Sequence, residues 1–160
     1  MTLLHLLLLL ASLGSLLMAG VFFAFSTAVM PAFRRVPPAA GMQLMQSINK
    51  VILNPLFLGV FCGTALLAIA AAVLGWMLAP RKAALWMTAG AFAYVLGVFG
   101  VTAGRNVPMN EALDRLDADS GAGQDHWAAY LHDWTFWNTV RTGAGLVSGA
   151  CLVAATLLSK

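Results

Sequence analysis

The chain has 160 residues, 61% of them hydrophobic and only 9% charged, with a mean hydropathy of +0.84. Soluble domains carry about a quarter charged residues, so this composition excludes a water-soluble globular domain and makes a lipid bilayer the main partner. Nine Lys and Arg against six Asp and Glu leave a net charge of +3, but the basic residues are scattered and form no run, which argues against nucleic acid as a partner.

Four apolar stretches, about 3–30, 56–79, 83–104 and 137–158, reach the roughly 20 residues that a helix needs to cross a hydrocarbon core. The expected fold is all-α: an integral membrane four-helix transmembrane bundle, one domain over residues 1–160, with short interfacial helices in the two loops on one side. The bacterial inner (cytoplasmic) membrane is the expected location. The first stretch has no basic n-region and exceeds the length of a cleavable apolar core, so it reads as a true span. It is expected to stop at Pro31, which lacks the N–H for the next helical bond, and a short interfacial helix fits 39–53. Only Pro80, Arg81 and Lys82 separate the second and third stretches, which forces a tight antiparallel hairpin. The polar segment from Arg105 to Thr135 follows and holds all six acids. The two long connections therefore share one membrane side, and the hairpin shares the other with the C-terminal end.

Helix association in lipid depends on close backbone approach. Three pairs spaced by four supply it: Gly59 with Gly63, Gly100 with Gly104, and Gly145 with Gly149. Ser12, Ser15, Ala19, Phe23 and Ser26 form a further stripe expected to face inward. Tight intramolecular packing is the expected use of these faces, and a homo-oligomer is the other. Cys62 and Cys151 lie inside apolar runs and read as small hydrophobes, not as a disulfide.

The polar residues gather at the loop-rich end. Trp127, Tyr130, Trp134, Trp137 and Arg141 step by three, four, three and four, so they share one face of a helix that starts before the hydrocarbon. Trp127 and Tyr130 are expected to be interfacial anchors. Arg141 is followed by apolar or small residues alone until Lys160, and a charge at that depth is usually turned to the bundle or a wet cavity. Its expected partners are Glu111, Asp114, Asp133 or a bound anion. Asn106 reads as the N-cap of a short helix with Pro108 in its first turn, and Asn54 as the cap of the second span. Asn49 is open to site or surface, and Asn110 has no capping role. Asp125, His126, His132 and Asp133 include no i, i+4 His pair, so no metal is expected. Asn110, Trp134, Asn138 and Arg141 are expected to line one cavity of roughly 300 to 1,000 Å³.

Phe25, Ser26, Val29 to Ala32, Asn49, Asn54, Pro55, Phe57, Asn106 to Pro108, Asn110, Trp134, Trp137, Asn138, Arg141 and Thr142 together resemble the anthrone oxygenase-like family of small membrane proteins, in order from about residue 18 onward. The chain departs from many members at Thr139, where they carry His. The resemblance implies oxidation of an anthrone to an anthraquinone by O2 with no cofactor. Under it, Arg141 with Asn138 and Asn110 would hold the oxyanion, Trp134 and Trp137 would wall the flat substrate, Asn49 and Asn106 would help to bind it, and Asp133 or His132 would be the base. Two other readings fit the same residues. One is a membrane protein binding a quinone, isoprenoid or lipid headgroup without turnover, and the other is a structural partner in a membrane complex.

Overall fold

The computed structural model describes residues 2–159. Four of its helices are long and apolar enough to cross a membrane: α1 (Leu3–Phe33), α3 (Pro55–Leu78), α4 (Arg81–Asp114) and α5 (Gly121–Leu158). The shorter α2 (Pro38–Val51) links α1 to α3, and no strand occurs among the described residues. Local chemistry sets several starts. The Asn54 side chain accepts the Phe57 N–H at 3.0 Å with Pro55 at the first helical position, as expected for a cap. Ser120 does the same for α5 through Gly123 N–H at 3.0 Å.

Two helix ends differ from the sequence expectation for one reason. α1 does not stop at Pro31: a π-turn over Phe25–Val29 widens it, and Pro31 falls in the first turn of the α segment that resumes at Met30. A Pro there removes no bond that the restarted segment needs. α4 likewise runs past Gly104 through π segments at Ala93–Gly100 and Thr102–Asn106 to end at Asp114. Asn106 is consequently not a cap. Its backbone is helical (φ −69°, ψ −41°) and its side chain makes no capping bond, so it is free to point into the bundle.

α5 packs on α1 and α4, and α3 packs on the same two, which makes a ring of four with every neighbour antiparallel. The two ends are as expected. Ser159 Oγ lies 3.5 Å from His5 Nε2 at the hairpin end, while Lys50 Nζ meets Asp114 Oδ1 at 2.9 Å at the loop end. Large apolar side chains such as Leu13, Leu17, Leu66 and Val147 stay exposed along the helices, a surface that lipid covers.

The α1–α5 seam uses the small residues that the sequence marks. Ser12, Ser15 and Ala19 are buried, and Ser15 and Ser148 share a hydroxyl hydrogen bond at 3.1 Å. A Cβ on Gly145 would stand 3.0 Å from that of Ala19, and one on Gly149 would stand 2.6 Å from Leu16 Cδ2. The stripe continues through buried Phe22 and not through Phe23, which is 57% exposed, because 3.6 residues per turn carries the face from Ser15 to position 22. Gly59, Gly63 and Gly104 have open space where a Cβ would be. Gly59, Gly100 and Gly104 are exposed and Gly63 is half-buried, so these pairs lie on outward-facing surfaces and form no intramolecular seam.

Candidate functional site

α3 and α4 are tied at the hairpin by Ala79 and Pro80 and separate toward the loop end, where α2 covers the gap. Between them lies a cavity of about 480 Å³, inside the expected range. All five helices contribute: Phe22 and Phe25 from α1, Met45 and Asn49 from α2, Phe57 and Phe61 from α3, Phe99, Thr102, Asn106 and Asn110 from α4, and Trp134, Asn138 and Arg141 from α5. The walls are aromatic and aliphatic, with polar groups confined to a few positions, as in small-molecule sites generally.

The deep polar end is built on Arg141, which is 5% exposed. Its Nη2 donates to Asn138 Oδ1 at 2.7 Å and its Nη1 to Thr102 Oγ1 at 3.0 Å. The guanidinium also sits 4.3 Å from the centre of the Phe22 ring and 5.3 Å from that of Trp134, close enough for cation–π attraction. The Asn138 amide has one orientation, because its Nδ2 donates to the Phe22 carbonyl at 2.6 Å and to Ser26 Oγ at 2.7 Å. Arg141 thus faces the interior as expected, but the expected acids do not pair with it. Among the described residues the only contacts of a Lys, Arg or His side chain with a carboxylate are Lys50–Asp114 and His132–Asp133, so no carboxylate lies within 4.0 Å of Arg141. Asp114 is engaged by Lys50, Asp133 by its neighbour, and Glu111 is exposed at the cavity mouth.

The upper wall is fixed by Asn110. Its Oδ1 accepts from Tyr130 Oη and from Trp134 Nε1, each at 2.8 Å. Both lone pairs are then used, which leaves the amide N–H groups as its remaining capacity. Tyr130 and Trp127 are not interfacial anchors. Both are buried in a cluster with Phe33, Met42, Met45 and Leu113, because α2 folds over the face that would otherwise meet headgroups.

Three other residues of the sequence reading lie apart from the cavity. Trp137 lies outside the cavity lining, with the Arg105 guanidinium 4.7 Å over its ring. Phe22, Phe25, Phe61 and Phe99 join Trp134 as the aromatic walls in its place. His132 and Asp133 bond each other at 2.9 Å with side chains 81% and 62% exposed, and neither lines the cavity. At about 100° per residue on α5, they turn away from the face that carries Trp134 and Asn138. Thr102 escaped the sequence reading, although its spacing of four from Asn106 and eight from Asn110 places all three on one face of α4. No group of three or more His, Cys, Asp or Glu side chains converges among the described residues.

The hydrogen-bond inventory singles out the same place. Among the described residues three buried side-chain polar atoms have no partner: Asn49 Nδ2, Asn106 Oδ1 and Arg141 Nε. All three residues line this cavity. Asn106 is nonetheless anchored, since its Nδ2 donates to the Trp134 carbonyl at 3.3 Å. Such atoms are rare in folded proteins, and an ordered water or ion, a ligand, or a strained or catalytic role accounts for them.

No curated protein and no solved structure matches the chain. The anthrone oxygenase family matches over residues 54–151, a stretch that carries α3, α4 and the part of α5 bearing Trp134, Asn138 and Arg141. By that match, which spans more than half of its length, the chain belongs to the anthrone oxygenase family.

Proposed function

We propose that this protein is a membrane oxygenase that converts the doubly benzylic CH2 of a lipid-soluble polycyclic phenol of the anthrone type into a carbonyl, working in a bacterial inner membrane. The observation that carries the reading is the confinement of the three unpartnered buried polar atoms found among the described residues to one aromatic-walled cavity. Its size fits a flat tricycle. An apolar cavity of about 150 Å³ accepts one benzene ring, and 480 Å³ is about three times that.

The chemistry needs a place for negative charge and a base on opposite edges of the central ring, because the carbonyl and the CH2 stand opposite each other. Arg141, oriented by Asn138 and Thr102, serves the carbonyl oxygen as the CH2 proton leaves and charge moves onto it. Asn110 and Asn49 offer further N–H donors. Glu111 takes the role that the sequence suggested for His132 or Asp133. It lines the mouth, has no ion-pair partner among the described residues, and stands nine residues, about 13 Å, along α4 from Thr102. The electron-rich anion adds O2 at the carbon that lost the proton, and the resulting peroxide anion takes that proton back from Glu111 to give a hydroperoxide. Loss of the second C–H proton then breaks the O–O bond, leaving one oxygen atom as the new carbonyl and the other as water. The four electrons come from the substrate carbon, so no external reductant is needed.

The test is anthrone-dependent oxygen uptake by protein in lipid nanodiscs, with isotopically labelled O2. The expected result is one O2 consumed and one labelled oxygen atom retained per anthrone. Uptake no faster than in empty discs would sink the reaction.

A further inference from the structure

We infer that the cavity takes its ligand as an anion before any oxidation occurs, and that this capacity extends to flat phenols with no CH2 to oxidise. The inference rests on the proposed site but not on the proposed reaction. Its first ground is charge. Arg141 is buried, and the groups that touch its guanidinium are the hydroxyl of Thr102, the amide oxygen of Asn138 and two aromatic rings. These solvate a cation without neutralising it. A buried charge with no counter-charge is costly, and a ligand that supplies one is held strongly.

The other titratable groups around the cavity do not cancel that charge. α1 contributes none, α2 contributes Lys50, α3 contributes Cys62, and α4 contributes Glu111 and Asp114. On α5, Tyr130 donates its hydroxyl to Asn110. Lys50 and Asp114 pair at 2.9 Å and offset each other. Glu111 is at the mouth, about 13 Å along α4 from the Arg141 contact at Thr102. The deep end therefore stays positive.

The second ground is hydrogen-bond polarity. Of the three unpartnered atoms among the described residues, Arg141 Nε and Asn49 Nδ2 are donors and Asn106 Oδ1 is the one acceptor, and a guanidinium has no acceptor at all. A neutral phenol oxygen can accept from these N–H groups while its O–H turns to Asn106 Oδ1, but an ionised oxygen makes shorter and about twice as strong charge-assisted bonds with them. In the binding step the phenol O–H bond breaks, the electron pair stays on oxygen, and the proton passes through Glu111 or directly to water at the mouth.

A hydroxypyrene probe separates this from turnover, because its ionised and neutral forms absorb differently and it has no CH2. In discs with wild-type protein, the pH at which bound probe ionises should fall by at least about one unit relative to empty discs. Asp133→Asn, an exposed change outside the cavity lining, should keep the shift. Thr102→Asp places a carboxylate beside Arg141 and should abolish it, while unsubstituted pyrene still binds. Should Thr102→Asp fail to fold, Arg141→Gln is expected to abolish the shift instead. A wild-type probe that stays neutral or does not bind, or a full shift retained when the Arg141 charge is matched or removed, would overturn the inference. Shifted probe without anthrone-dependent oxygen uptake retires the reaction and keeps the site, and the reverse pattern retires the anion site.

Discussion

Arg141 Nη2 and Asn138 Oδ1, one turn apart on α5, meet at 2.7 Å inside the bundle, and Phe22 and Ser26 hold the Asn138 amide so that its oxygen faces the guanidinium. The arrangement orients a planar donor fork, which an ammonium cannot reproduce. Arg141→Lys is therefore expected to fold and to lose about 10²–10³ in the rate of anthrone-dependent oxygen uptake, the scale of a lost oxyanion donor. Equal rates for the variant and wild type would remove Arg141 from the chemistry.

Asn138→Leu should cost stability as well as rate. It strips a partner from the Phe22 carbonyl and from Arg141 together, and a buried group left unpaired costs about 1–3 kcal/mol. A lowered unfolding midpoint in detergent reports it. Ser26→Ala should have a smaller effect, because the backbone carbonyl remains paired.

Proton abstraction can be watched without oxygen. Anaerobic exchange of the anthrone CH2 with deuterated water should proceed in wild-type protein and slow by about 10²–10⁴ in Glu111→Gln, the usual contribution of a positioned base. Asp133→Asn and His132→Ala should exchange at the wild-type rate. The opposite pattern would return the base to α5.

How far the sequence reveals this arrangement depends on how local the cause is. Hydropathy alone locates the four spans, and the cost of a deep charge alone turns Arg141 inward. The ends of α1 and α4 were not readable in the same way, since Pro31 and Asn106 look like punctuation until π-turns carry the chain through them. Trp127 and Tyr130 have the spacing of an interfacial belt, and only the return over them of α2, which lies far earlier in the chain, makes them core. Asp133 adjoins Trp134 in sequence but not on the helix surface.

The two kinds of glycine should respond differently to a side chain. Gly149→Val forces the α1–α5 seam against Leu16 and is expected to destabilise by about 1–3 kcal/mol. Gly59→Val meets open space and should stay within about 0.5 kcal/mol. Thermal unfolding of both variants in detergent checks this, and similar losses would contradict the outward placement of Gly59.

Cys62 is exposed and lines the cavity, while Cys151 is buried on α5. A lipid-soluble maleimide should modify Cys62 first, and bound hydroxypyrene should slow it. Mass spectrometry showing equal labelling of both thiols would place the opening elsewhere.

The Lys50–Asp114 pair joins α2 to α4 beside the mouth, and both side chains are well exposed. An exposed pair contributes at most about 1 kcal/mol and is screened by salt, so it cannot hold the fold together, but it is well placed to time the departure of an occupant. Dissociation should quicken as ionic strength rises while the buried contacts at Arg141 keep their strength, so that the aqueous phase governs how long a molecule drawn from the lipid phase remains.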